Sequence, residues 1–185
     1  AVPEGEIFGF LGINGAGKST TLGILTGHLM RSRGVALVNG RDAAEPAAQR
    51  SIGYCPQEDP LLEHMTGQET LEFFGRLKGL HRRGGKDAEA DTMEEGGNTL
   101  KAAVKDVLRR VGLTKFRHQP CGGYSGGMKR KLSFAVALIG EPPVLLLDEP
   151  STGMDPVARR NMWDSISAAA PGRSIVLTTH SMEEC

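Results

Sequence analysis

Gly12-Ile13-Asn14-Gly15-Ala16-Gly17-Lys18-Ser19 is the stretch whose reading decides the fold. It fits the spacing G-x-x-x-x-G-K-[ST], which needs a strand before it and a helix after it. Both are present. Residues 6–13 form a short apolar run, and residues 18–30 carry a helical pattern with Leu22, Leu25 and Leu29 on one face. Glycines let backbone N–H groups wrap round phosphate oxygens without a Cβ in the way. The following helix turns its positive N-terminus to the anion. Lys18 is then placed for the β- and γ-phosphates, and the Ser19 hydroxyl for Mg²⁺.

Further strands follow the loop. Residues 35–39 read as a strand closed by the turn pair Asn39-Gly40, and residues 51–55 as another. Val144-Leu145-Leu146-Leu147 is a continuous apolar run, as expected of a strand covered on both faces. Residues 174–179 form the last strand. Strands alternating with helices predict an α/β fold, a mostly parallel sheet with helices on both faces.

Helix starts are legible too. Thr66 with Glu69 has capping-box spacing, for a helix running to about Leu80. Residues 100–111 are helical, Ser125 is an N-cap for a helix through Ile139, and Asp155-Pro156 opens another. Ser181 and Glu184 have the spacing for a final helix. Few strands lie between 66 and 139, so this span reads as a helical lobe inserted into the sheet. Within it, residues 81–98 hold two Gly-Gly pairs, mixed charge and almost no apolar residue, the composition of a disordered surface insertion.

Composition narrows the class. Lys+Arg and Asp+Glu are both 22 in 185 residues, so the net charge is zero, which argues against nucleic-acid binding by bulk electrostatics. No apolar run approaches the ~18 residues of a spanning helix. Cys55, Cys121 and Cys185 have neither paired nor metal-ligand spacing and read as reduced thiols. The chain opens at Ala1, directly ahead of a strand, and reads as part of something longer.

Three further groups bear on chemistry. Asp148 and Glu149 end the buried strand, where open α/β sheets hold their ligands. Asp148 is placed to hold Mg²⁺ and Glu149 to polarise an attacking water; two carboxylates capping a turn is the plainer reading. His180 ends the last strand, a position more often structural than catalytic unless a γ-phosphate is near. Tyr124-Ser125-Gly126-Gly127-Met128-Lys129-Arg130-Lys131 is a second phosphate-binding device, a Ser-Gly-Gly turn opening a helix. One nucleotide needs only one such device, which hints that two copies share the work.

Together these residues resemble the nucleotide-binding domain of ATP-binding cassette (ABC) transporters, a P-loop NTPase (RecA-like) fold with an inserted helical subdomain. The resemblance covers nearly the whole chain, in the family's motif order. It identifies residues 12–19 as the Walker A loop, Gln57 as the Q-loop glutamine, residues 124–128 as the signature, and residues 144–148 as Walker B. Glu149 becomes the catalytic glutamate, residues 151–155 the D-loop and His180 the switch histidine. The blocks at 124–133, 153–160 and 180–185 look most like the second cassette of the A subfamily, many of whose members move lipids. The signature departs from the usual pattern at Tyr124 and Met128 but keeps Ser125, Gly126 and Gly127. The aromatic residue that stacks on adenine in this family would lie upstream of Ala1.

The resemblance implies ATP and Mg²⁺ as cofactors. Catalysis would fall to Glu149, His180, Lys18 and Gln57. Nucleotide contacts would come from Gly12, Ile13, Asn14, Gly15, Ala16, Gly17, Lys18, Ser19 and Thr20, and from Ser125, Gly126 and Gly127 acting on a partner's ATP. Metal contacts would come from Ser19, Gln57 and Asp148. It also implies a second cassette in a head-to-tail dimer, transmembrane domains on the same or an associated chain, and the cytosolic face of a membrane. No nucleic-acid partner is expected. A soluble ABC ATPase of translation or DNA repair shares these motifs, as does a cassette that binds ATP only as a structural switch. A P-loop kinase would lack the Ser-Gly-Gly block.

Replacing Lys18 by Ala in the full-length protein is expected to abolish ATP binding. A titration showing unchanged nucleotide affinity would refute the reading of the loop.

Overall fold

The computed structural model describes residues 1–13, 15–80 and 100–180. Asn14, the 81–98 insertion, and the proposed helix start at Ser181 and Glu184 lie outside the described residues, as does Cys185. The strands that pair in parallel are β1 (Ile7–Leu11), β4 (Ile52–Cys55), β5 (Val144–Asp148) and β6 (Ser174–Thr179), in the order β1-β6-β5-β4. The doubly covered parallel sheet predicted from the alternating pattern is therefore present. β2 (Leu37–Val38) and β3 (Arg41–Asp42) form a separate antiparallel hairpin.

Side chains of the two central strands alternate between two cores, as a period of two demands. Leu145 and Leu147 of β5, with Ile175 and Leu177 of β6, join a core built from α5 (Gly126–Leu138) and α6 (Pro156–Ala169). Leu146, with Val144 and Val176 beside it, faces the other way. There it meets Leu22 of α1 (Lys18–Leu25), Val38 and Ala48, the last in α2 (Pro46–Arg50). The run 144–147 is apolar throughout because both faces are dry. Each buried leucine there contributes about 1.5–3 kcal/mol.

Several boundaries differ from the sequence expectation, each for a local reason. The helix after the phosphate loop stops at Leu25, not Met30. Gly27 adopts φ 76°, and its N–H donates to the Ile24 carbonyl at 3.1 Å, which closes the last turn. Leu29 folds back onto Gly23, where a Cβ would stand 2.8 Å from its Cδ1. The strand expected at 35–39 is only Leu37–Val38, because Asn39 (φ 49°) and Gly40 (φ 74°) both take the positive φ of a two-residue hairpin turn. The first strand likewise ends at Leu11, where the glycine-rich loop takes over.

The helices between β4 and β5 follow their caps. Thr66 and Glu69 form the full capping box at the start of α3 (Gly67–Leu77). The bond from the Thr66 backbone N–H holds the Glu69 carboxyl below its ordinary range. α3 ends in a Schellman motif: Gly79 N–H donates to the Arg76 carbonyl and Leu80 N–H to the Gly75 carbonyl, both at 2.9 Å. α4 (Leu100–Arg110) ends the same way at Gly112 and Leu113. Leu100, Ala103, Val104, Val107 and Leu108 form the buried stripe of α4, packed against α3 and α5.

α5 is buried along almost all of its length from Arg130 onward and lies directly on β4. The closest approach is at Gly53, where a Cβ would fall 2.1 Å from the Ala137 carbonyl oxygen. Cys55 and Cys121 are buried free thiols. Among the described residues no helix is long and apolar enough to cross a membrane.

Gly53→Ala should therefore force α5 off the sheet and destabilise the fold by about 1–3 kcal/mol or more. The unfolding midpoint in denaturant measures it, and an unchanged midpoint would contradict the packing described.

Candidate functional site

The site assembles at the carboxyl edge of the sheet. In the parallel register Leu11 lies beside Thr179 and Asp148 beside Thr178. The next residue in each strand direction is Gly12, His180 or Glu149, so the phosphate loop, the histidine and the carboxylates meet without any long-range adjustment.

Gly15 (φ 81°) and Gly17 (φ 88°) take left-handed conformations that let the loop close, and Gly17 is the N-cap of α1. Gly12 stands in a tight place for another reason: a Cβ there would be 3.1 Å from the Ala16 Cβ. The Ala16 N–H donates to the Ile13 carbonyl at 3.2 Å. Ser19 and Thr20 open α1 and are exposed. Lys18 is only 6 % exposed, yet its Nζ stays at the loop, donating to the Gly12 carbonyl at 2.6 Å and to the Ile13 carbonyl at 3.2 Å. The ammonium is thus held over the loop it would share with a phosphate.

His180 links this loop to the carboxylates. Its Nδ1 lies 3.2 Å from Lys18 Nζ and 3.0 Å from the Gly12 carbonyl oxygen. Its Nε2 contacts the Glu149 carboxylate. With Nε2–H donating to Glu149, a neutral ring accepts from Lys18 at Nδ1, and a protonated ring donates to Gly12 instead. The same imidazole therefore has two ways of holding the loop and the glutamate together.

Asp148 and Glu149 are 4 % and 8 % exposed. Thr178 sits between them with no exposed surface. Its hydroxyl donates to Asp148 Oδ1 at 2.6 Å and accepts from the Glu149 N–H at 3.0 Å. Glu149 is at φ 49°, a left-handed position unusual for a side chain of that size. The Thr152 hydroxyl donates to Glu149 Oε2 at 2.8 Å, so both glutamate oxygens are held.

The donors available to a cation are a carboxylate at Asp148, a hydroxyl at Ser19 and an amide oxygen at Gln57. Hard oxygen donors of this kind, few in number, suit Mg²⁺, which keeps waters and shares substrate phosphates. Among the described residues no group of three or more His, Cys, Asp or Glu could hold a metal. Such donors would suit magnesium bound together with a nucleotide.

Gln57 is exposed, in the loop after β4. Its backbone carbonyl, not its side chain, is what the structure ties down, by a bond from Arg130 at 3.1 Å. Nearby, burial first, and then the Asp148 carboxylate, pushes the Tyr54 phenol above its usual range. Burial likewise raises the Cys55 thiol, keeping it neutral beneath the site.

Ser125, Gly126 and Gly127 stand apart. They line a groove of about 540 Å³ together with Met154, Asp155 and Lys131, and no described residue of the phosphate loop is in its lining. Ser125 caps α5 by accepting from the Met128 N–H at 3.3 Å, and Asp155 caps α6 by accepting from Val157 and Ala158, each at 3.0 Å. Tyr124 is buried and fixes this turn. Its hydroxyl donates to the Phe116 carbonyl at 2.8 Å and rests where a Cβ on Gly67 would come within 2.4 Å. The tyrosine thus fills an apolar slot while its polar end is satisfied, leaving Ser125 and the glycines unaltered.

Sequence reasoning missed Thr178 and Arg130. Thr178 carries no signal beyond being a hydroxyl in an apolar strand. Arg130 does carry one: a cation at 130, on the stripe continued by buried Ser133, Phe134 and Ala137.

Thr178→Val removes the hydroxyl at constant shape and leaves two buried groups short of a partner. Stability should fall by about 1–3 kcal/mol, with Thr178→Ser close to wild type. Denaturant unfolding of the three proteins checks it, and equal midpoints for valine and threonine would refute the assignment.

Comparison with known proteins agrees with this geometry. The family model described as ABC transporter matches residues 1–152. The chain is 48 % identical over its whole length to the phospholipid-transporting ATPase ABCA7 of Homo sapiens, covering 8 % of that protein. It is 47 % identical, again over its whole length, to the phospholipid-transporting ATPase ABCA3 of Homo sapiens, covering 10 % of it. ABC transporter A family member 5 of Arabidopsis thaliana is 46 % identical, with 18 % covered. The chain thus spans less than a fifth of each of these relatives. A solved structure titled as the ATP binding subunit of an ABC transporter superposes with a TM-score of 0.78 at 30 % identity, covering 98 % of this chain and 71 % of that one. The chain belongs to the ABC transporter family, as an ATP-binding domain.

Proposed function

We propose that this domain binds ATP with Mg²⁺ and hydrolyses it to drive transport across a membrane, with phospholipid as the cargo. The observation that carries the reading is the contact of Glu149 with His180, whose other ring nitrogen is within hydrogen-bonding reach of Lys18. A base, a γ-phosphate sensor and a phosphate-binding ammonium are thereby joined in one cluster. The phospholipid cargo is supported by the names of the human relatives alone, because a cassette does not itself touch what is moved.

Residues 12–20 would hold the triphosphate, with Lys18 exchanging its loop carbonyls for β- and γ-oxygens. Ser19, Asp148 and Gln57 would hold Mg²⁺, which supplies charge neutralisation on the phosphates when bound. Glu149 accepts the proton of the attacking water as the γ-phosphate bond breaks. His180 orients Glu149 through Nε2 and faces the γ-phosphate region through Nδ1. Stabilisation of the charge that develops falls to Lys18, with Ser125, Gly126 and Gly127 of a second cassette closing from the other side.

The groove at Ser125 supports the paired arrangement, since its lining includes none of the described residues of the phosphate loop. Residues 66–139 would act as the helical subdomain that carries that groove to the partner. Membrane-spanning domains would supply the transport path, with the cassette on the cytosolic face. A role as a non-hydrolysing switch would not need the Glu149–His180 contact, and a soluble factor of translation or repair is not what the named relatives suggest.

In the full-length transporter, Glu149→Gln is expected to retain ATP binding while phosphate release drops by about 10²-fold or more. Release at the wild-type rate would sink the assignment of the base.

A further inference from the structure

Arg130 lies one turn into α5 and is 4 % exposed, the most enclosed cation of the described residues. Its guanidinium reaches six acceptors on two chain segments. Nε donates to the Pro150 carbonyl at 3.1 Å, and Nη2 to the carbonyls of Asp148 at 2.6 Å and Glu149 at 3.1 Å. Nη1 donates to the carbonyls of Pro56 at 2.5 Å and Gln57 at 3.1 Å, and to Asp59 Oδ1 at 3.0 Å. Asp59, the only side chain in the set, is partly exposed.

One planar group thus joins the loop at 56–59 to the chain leaving β5. The glutamate turn needs such a hold. Its φ is positive, its N–H is fixed by Thr178, and its carbonyl is fixed by Arg130. With both ends of the residue bound, the direction of the Glu149 side chain follows from the backbone. A displacement of the 56–59 loop pulls on the same rigid plane that holds the Glu149 carbonyl.

We infer that Arg130 is a positioning residue for hydrolysis: it sets the aim of Glu149 and makes that aim depend on the position of the 56–59 loop. The inference rests on Glu149 being the base, as proposed above. Lysine is a poor substitute despite equal charge. It offers three donors from one point, whereas the acceptors here are spread around a five-donor fork. Arg130 contacts no described residue of the phosphate loop, and it touches Gln57 and Asp148 only at their backbone carbonyls, so ATP binding should be affected far less than the chemical step.

The test measures ATPase kinetics of the full-length transporter in wild type, Arg130→Lys, Asp59→Asn, the double variant, and Glu149→Gln. Arg130→Lys should lower kcat by about tenfold or more with KM for ATP held within about twofold, and Asp59→Asn should lower it several-fold. The double variant should lose less than the product of the two single losses, since both act through one guanidinium. Wild-type kcat in Arg130→Lys, or a fall in ATP affinity without loss of kcat, overturns the inference. If Arg130→Lys does not fold, the partly exposed Asp59→Asn decides, and unchanged kcat there overturns it as well. Failure of the underlying reading shows separately, as undiminished hydrolysis in Glu149→Gln.

Discussion

The parallel register of β1, β6 and β5 is the constraint on which the site depends. Pairing Leu11 with Thr179 and Thr178 with Asp148 leaves the three strands ending at nearly the same level. Parallel strands all point their carboxyl ends to one edge, so whatever follows each strand is delivered to the same place. Gly12, His180 and Glu149 are those next residues. A slip of one position in β6 would turn Thr178 away from Asp148 and send Ile175 and Leu177 to the wrong core. The apolar alternation that builds the two cores is therefore also what aligns the chemistry. Stability and function here share one register.

That alignment brings together groups that resist being together. Asp148 and Glu149 are both buried, and burying carboxylates is costly unless their charge is met. The structure meets it with short, directional contacts: Thr178 on Asp148, Thr152 and His180 on Glu149, and the Arg130 guanidinium on the carbonyls of both. Arg130 is itself a buried charge, with Asp59 at 3.0 Å as its one anionic partner among the described residues. Its other partners are carbonyl oxygens, which satisfy N–H groups without neutralising them. Replacing such a group with apolar atoms is often tolerated in a core, but here the carbonyls would be orphaned as well. The cluster is consistent only as a whole.

Much of this was legible in the chain because local rules and global fold agree. The phosphate loop, the capping box at Thr66, the Ser125 and Asp155 caps, the Asn39-Gly40 turn and the apolar run at 144–147 each have a short-range cause. Boundaries went astray where a glycine acted as a stop the periodicity did not register, as at Gly27. What could not be read were contacts that pair residues far apart. Thr178 with Asp148 is a matter of sheet order, and Arg130 with 56–59 is a matter of how α5 crosses β4. Close approach at Gly53 sets that crossing, and no spacing in the sequence reports it. A charged residue on a buried helical stripe was the one available clue, and it was hidden inside a motif already accounted for.

The turn at Ser125 follows a different logic from the loop at 12–19. The Ser125 hydroxyl oxygen accepts from Met128 as a cap, which leaves its own O–H to donate outward. Gly126 has open space where a Cβ would be, so a phosphate oxygen can approach the backbone at the helix start. Yet a helix N-terminus draws an anion only within its first turn, and the groove in front of it is walled by Met154, Asp155 and Lys131 rather than by the phosphate loop. An arrangement with donors facing outward, and with the triphosphate cradle elsewhere on the same chain, makes physical sense when the anion arrives on another molecule. The open face at Ser125 fits the proposed pairing, in which it would form half of a site.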